Sequence, residues 1–206
     1  TGKFLEFVGM NPNNKAKPLS GYEVEVTEVA TRSELIGKCP LTQEIIDNAE
    51  IIIFEEGGIS NRFISKRGES VSCTFRRLED WISEREIPIE IVENSDQILH
   101  FRHLQFGSAY SFGVSSLTPG LISLESQKIT FSKAGIDIKG AINGIQCFGH
   151  GQFLSAPEEV EEISKLTIRY SGNKTPIEKI AGIVSVSQNG IFRHTSLMIP
   201  MCLVLF

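Results

Sequence analysis

The chain has 206 residues, 41% of them hydrophobic, and a formal net charge of −5; its length allows one large domain or two small ones, and its mean hydropathy of −0.01 fits a globular chain rather than a disordered or membrane-spanning one. The acidic balance and the lack of any Lys/Arg block argue against a nucleic-acid surface, which needs clustered cations to displace counterions. Cys39, Cys73, Cys147 and Cys202 are too scattered for a disulfide framework or a zinc site.

Acid is concentrated early: 18 Asp and Glu face 11 Lys and Arg in the first hundred residues, against 7 and 9 in the rest. That asymmetry points to two units. Thr1 stands where an initiator Met would, with no charged-then-apolar leader before it, so the chain reads as a fragment or processed product. A first strand is expected over residues 3–9. Tyr22, Val24 and Val26 alternate with Glu23, Glu25 and Thr27, the pattern of a half-buried strand. Ile51–Glu55 and Ile59–Ser65 flank Glu56, Gly57 and Gly58, a hairpin signal because Gly adopts positive φ without steric cost.

From Ser70 to Glu86 the period changes, with Val71, Phe75, Leu78 and Ile82 on one stripe. This predicts an amphipathic helix capped by Ser70 and bounded by Pro88, with Trp81 packing on a sheet. Ile89–Glu93, a turn at Asn94, Ser95 and Asp96, and Gln97–His103 read as a second hairpin, followed by a strand over Tyr110–Val114. Thr118, Pro119 and Gly120 mark the expected boundary. Beyond it the strands Lys128–Phe131, Ile136–Ile142, Leu166–Tyr170 and Ile183–Gln188 are separated by Gly-rich turns, with one helical turn expected at Ser155–Glu158. Leu197–Phe206 is apolar but broken by Pro200 and too short to span a membrane, so it reads as a buried terminal strand. The expected fold is α+β and all-β: a strand-helix-strand layer unit over residues 18–118, then a mainly antiparallel β-rich unit over 119–206, joined by the strand at 3–9.

Reactive constellations are sparse. There is no G-x-S-x-G elbow and no P-loop, and Gly149-His150-Gly151 lacks the third Gly of a dinucleotide fingerprint. His100 and His103 lie three apart on a strand and so point to opposite faces. Cys147 and His150 have no evident further ligands for a metal. The run Glu158, Glu159, Glu161 and Glu162 lacks the spaced ligands and turn Gly of a calcium loop. No catalytic residue, cofactor site or metal site is expected, and the chain reads as structural rather than enzymatic.

One stretch carries a specific pattern: Asp137, Gly140, then Ile142, Asn143 and Gly144, then Gly149, Gly151, Gln152 and Leu154. It resembles the internal motif in the central region of bacterial flagellins, which hook-associated proteins share. The segments Leu166–Gly172 and Gly182–Asn189 follow in the order such regions show, and Gly21–Thr31, Leu41–Asp47 and Phe106–Ser116 resemble the same insert, so the likeness spans roughly Gly21 to Asn189. After Asn189 the expected Gly- and Gln-rich stretch is replaced by Arg193, His194, Thr195 and the apolar tail. The resemblance implies a surface-exposed central domain of a flagellar filament subunit, extracellular, serving motility through the polymer. Its partners would be other flagellin subunits, through helical arms absent from this fragment; the fragment itself would be monomeric, with no membrane partner. The central domain of a hook-associated junction or cap protein is the nearest alternative, and a surface glycan- or host-binding module using Tyr110 and Tyr170 is another. An inserted domain enters and leaves at nearby points, so Phe4–Val8 is expected near Val184–Phe192.

Overall fold

Among the described residues, two strands precede residue 31: β1 (Leu5–Gly9) and β2 (Tyr22–Glu28). In β2, Tyr22, Val24 and Val26 are buried, as their alternation with acidic residues requires. The computed structural model describes residues 4–10, 21–92, 95–176, 179–186 and 192–195. The chain divides into two units, Thr31–Ile136 and the flanking pair Thr1–Ala30 and Asp137–Phe206, so the first is inserted within the sequence of the second.

The insertion begins with β3 (Arg32–Pro40), the short helix α1 (Gln43–Asp47), β4 (Ile51–Glu56) and β5 (Ile59–Ile64). Gly57 and Gly58 close the β4–β5 hairpin at φ of 57° and 80°, the left-handed pair of a tight reversal. Helix α2 (Val71–Glu84) starts at Ser70, whose hydroxyl accepts the Cys73 N–H. It ends two residues earlier than expected. Glu86 adopts φ 54° and the Ile87 N–H reaches back to the Ile82 carbonyl, a Schellman-type stop that precedes Pro88.

Strands β6 (Ile89–Ile91), β7 (Ile98–Phe106), β8 (Gly113–Ser116) and β9 (Thr130–Phe131) complete the unit. They form two antiparallel sheets, ordered β3-β7-β6 and β5-β4-β8-β9. Leu78 and Ile82 of α2 join Phe54, Phe63, Phe101 and Val114 in one core. Trp81 packs on the hairpin as predicted, 5.9 Å from Phe54 and 5.6 Å from Phe63 between ring centroids. At the ends of the insertion, the Thr31 N–H donates to the Ile136 carbonyl at 2.9 Å and Thr31 Oγ1 accepts the Ile136 N–H at 3.0 Å. Gly135 beside them has no room for a side chain: a Cβ would sit 2.5 Å from the Thr31 carbonyl oxygen.

After residue 136 the chain supplies β10 (Lys139–Ile142), β11 (Ile145–Gln146), β12 (Phe148–His150), β13 (Phe153–Ser155), β14 (Thr167–Tyr170), β15 (Ile180–Val186) and β16 (Phe192–Thr195). The two sheets of the flanking unit run β1-β14-β13-β12 and β11-β10-β2-β15-β16, antiparallel throughout. Their inner faces bury Val26, Ile138, Ile142, Leu154 and Ile168. Strand β1 runs beside β15; residues 187–191 of its expected neighbour, the end of the expected strand Ile183–Gln188, the turn residue Asn94 and the tail Leu197–Phe206 lie outside the described residues. The expected helical turn at Ser155–Glu158 is the end of β13 followed by non-helical turns.

The fold is α+β in the insertion and all-β in the flanking unit, mainly antiparallel. The units part at residues 30/31 and 136/137, whereas the sequence suggested 118/119. The reason is local. Glu50 is buried, and its carboxylate accepts the Leu117 N–H at 2.6 Å, the Thr118 N–H at 3.0 Å and the Thr118 hydroxyl. Leu121 and Ile122 then enter the core beside it, so the Thr118–Gly120 turn is a tethered loop of the insertion. Replacing Glu50→Ala leaves the Thr118 N–H and hydroxyl unpaired, while the Leu117 N–H keeps the Ile51 carbonyl at 2.9 Å, and should cost about 2 kcal/mol, read from urea unfolding; Glu158→Ala, on the surface, should change stability by less than about 0.5 kcal/mol.

Candidate functional site

The nine residues of the Asp137–Leu154 pattern converge within the flanking unit, where β10 and β12 approach each other. Asp137 Oδ1 accepts the Gly151 N–H at 2.7 Å, and the Gly151 carbonyl accepts the Ile138 N–H at 2.9 Å. Asn143 and Gly144 form the β10–β11 reversal at φ of 51° and 75°. Asn143 also anchors that turn to β2, its Oδ1 accepting the Glu23 N–H at 2.8 Å while its own N–H donates to the Glu23 carbonyl at 2.9 Å.

Two glycines mark backbone crossings. A Cβ on Gly140 would lie 2.0 Å from the Glu25 carbonyl oxygen, and one on Gly149 1.8 Å from that of Ile138; no side chain fits at such separations. Buried Gln152 accepts from Arg169 Nε and Nη2 at 3.2 and 3.1 Å, and its carbonyl accepts the Tyr170 N–H. Ile142 and Leu154 are buried. The group fixes a corner between sheets and arranges hydrogen bonds around it.

The candidate ionisable groups are dispersed. His103 is buried on the core face of β7, stacked on Tyr110 at 5.1 Å, while His100 lies on the opposite face with Nε2 3.4 Å from Glu34. Arg102 Nε reaches Glu90 at 2.8 Å and Arg32 pairs with the same carboxylate at 3.0 Å, so this sheet face carries compensated charge. His103 Nδ1 accepts the Gln105 N–H at 3.0 Å, which leaves the neutral ring's proton on Nε2, where it has no hydrogen-bond partner. Burial pulls this imidazole below its ordinary value.

Cys147 is buried, its thiol donates to the Ile145 carbonyl, and burial pushes it up to about 11, far from a reactive thiolate. His150 is exposed, and among the described residues no group of three or more His, Cys, Asp or Glu is placed to hold a metal ion. Glu158 is exposed and pairs with Lys165 at 3.3 Å. Tyr170 is buried with its hydroxyl donated to the Lys174 carbonyl, so neither it nor the His103-stacked Tyr110 is a displayed aromatic. Two functional partners escaped the sequence reading. Arg169 carried no local signal, whereas Glu50 did: a lone acid directly before the apolar run Ile51–Ile53.

No protein-family model matches the chain, and no curated protein matches it in sequence. In three dimensions it is similar to the D2-D3 domains of the flagellar cap protein FliD from Serratia marcescens, with a TM-score of 0.53 and 12% identity over 86% of this chain and 97% of that one. The chain has the fold of flagellar cap D2-D3 domains. The corresponding Escherichia coli domains give a TM-score of 0.51 at 14% identity, covering 84% of this chain and 90% of that one. Against the longer D1-D2-D3 structure from the same organism the TM-score is 0.50 at 12% identity, and the match spans 84% of this chain but 53% of that one. These structures are of cap proteins, the alternative that the flagellin-type motif also implied.

Two outcomes follow from this geometry. Gly149→Ala forces a methyl group into the Ile138 carbonyl and should destabilise the protein by about 3 kcal/mol or more, whereas Gly144→Ala strains only an exposed turn and should cost about 1–2 kcal/mol; thermal unfolding of the two variants compares them. For His103, the folded value lies below the unfolded one of about 6.5, so its contribution is fully present above that pH and is lost as pH falls through the depressed value. Urea midpoints measured between pH 7 and pH 5 should therefore fall less in His103→Phe than in the parent protein.

Proposed function

We propose that this chain is the outer, two-unit portion of a flagellar cap protein of the hook-associated kind, a structural component of the bacterial flagellum rather than a flagellin filament subunit or an enzyme. The observation that carries the reading is the extent of the likeness. It covers 86% of this chain and 97% of the Serratia D2-D3 structure, more than either unit supplies alone, so it includes both the insertion and the unit that interrupts itself to hold it. The Asp137–Leu154 pattern supports the same reading from the sequence side, because its residues are consumed in a scaffold corner.

On this reading the protein works outside the cell by presenting a fixed shape, without a cofactor. Its assembly contacts with other flagellar subunits would run through helical segments beyond this piece, the arrangement that the resemblance implies. The nine motif residues act as structural residues, each setting a turn, a close approach or a hydrogen bond.

Location on the organelle separates the cap from the filament. Gold-labelled antibody raised against this chain should mark flagellar tips on intact cells, and deleting the gene should leave flagellin unassembled in the medium. Label spread along the whole filament would transfer the chain to the flagellin class, and unlabelled flagella would remove the flagellar reading altogether.

A further inference from the structure

Helix α2 and strand β6 leave a groove of about 540 Å³ between them, lined by Ile87, Ile89, Ile91 and Leu104 on the sheet side and edged by Glu79 and Glu86 on the helix side. Strand β6 is the outermost of its sheet, in the order β3-β7-β6, and no described strand pairs with its far side. The Pro88 carbonyl accepts the Leu104 N–H and the Val92 N–H donates to the His100 carbonyl, so the even-numbered residues face β7. The alternation of an antiparallel ladder then turns the N–H and C=O of Ile91 outward. An edge of this kind accepts a further strand unless it is covered or charged.

The groove also has a sign. Glu79, Asp80 and Glu84 fall in the second half of α2 with Glu86 just beyond, and the last turn holds no basic residue. These carboxylates oppose the partial negative charge of the helix C-terminus, and nearby Arg85 is stacked 4.4 Å over the Trp81 ring. Nearby cations would relieve the repulsion. A second copy of this chain, with a net charge of −5, is a poor source of them.

We infer that the groove receives an extended segment of a different protein chain in which a short aliphatic run is flanked by Lys or Arg. The segment lies along β6 and takes up the outward Ile91 groups, while the inward side chains of its aliphatic run enter the groove and the cations at its two ends reach Glu79 and Glu86. Because β6 is only three residues long, the ladder supplies few bonds, and the apolar lining and charge carry most of the affinity. The inference does not depend on the flagellar reading.

The test is fluorescence anisotropy of a short labelled peptide, a valine run flanked by lysines, titrated with the full chain. Binding should saturate and weaken as salt is raised. It should fall on the order of tenfold in the Glu79→Lys/Glu86→Lys double variant, where the helix end is better satisfied and the fold is retained by circular dichroism. Ile91→Pro, which removes an outward N–H while leaving the β6–β7 ladder intact, should weaken it similarly; if that variant unfolds, the charge variant decides. Unchanged affinity in the charge variant, or equal binding of a valine run flanked by glutamates, overturns the proposal. So does sedimentation equilibrium showing a dimer of the chain that the double variant dissolves, which would assign the groove to a second copy.

Discussion

Two hydrogen bonds join Thr31 to Ile136, residues 105 positions apart, and with Gly135 closing against the Thr31 carbonyl they turn the whole intervening chain into a loop with neighbouring ends. Closing so long a loop costs little more entropy than closing one half its length. It allows everything between those residues to form its own core of two sheets and a helix, and everything outside them to form the all-β unit. The architecture depends on this closure more than on any single buried side chain. Glu50 performs a similar task inside the insertion, drawing the Leu117–Thr118 backbone onto the core.

The flanking unit is set by a different constraint, the near-contact of main chains at Gly140 and Gly149. Where a carbonyl oxygen stands about 2 Å from the place a Cβ would occupy, glycine is the residue that fits, and Asp137, Asn143 and Gln152 supply the hydrogen bonds that hold the crossing. These polar groups are turned to internal partners. A conspicuous sequence signature therefore becomes an account of how sheets meet.

Much of the fold was legible in the residues because side-chain period and turn chemistry acted together. The alternation in Tyr22–Thr27, the Gly57-Gly58 reversal and the Val71–Ile82 stripe each produced the expected element. Strand β3 gave no such signal: two of its inward positions are Ser33 and Gly37, and Gly37 is small because the Leu121 carbonyl oxygen lies 2.7 Å from where its Cβ would be. The strand expected at Tyr110 begins instead at Gly113, since Tyr110 turns aside to stack on His103. The helix terminus eluded prediction because Glu86 takes a left-handed conformation seldom chosen by a non-glycine residue. The unit boundary was misplaced because a Pro-Gly turn reads locally as a linker, while the contact that makes it part of the insertion comes from Glu50, 68 positions away. The corner motif was readable through its resemblance to a family, but the partners that explain it, Glu23, Ile138 and Arg169, emerge only in three dimensions.

Neighbouring entry and exit points also have a mechanical meaning. A pull transmitted through the backbone of the flanking unit meets Thr31 and Ile136 side by side, so the load passes across that short junction and bypasses the insertion's core. The inserted unit can then stay folded, or exchange its surface residues freely over generations, while the sheets that carry the strain keep their register.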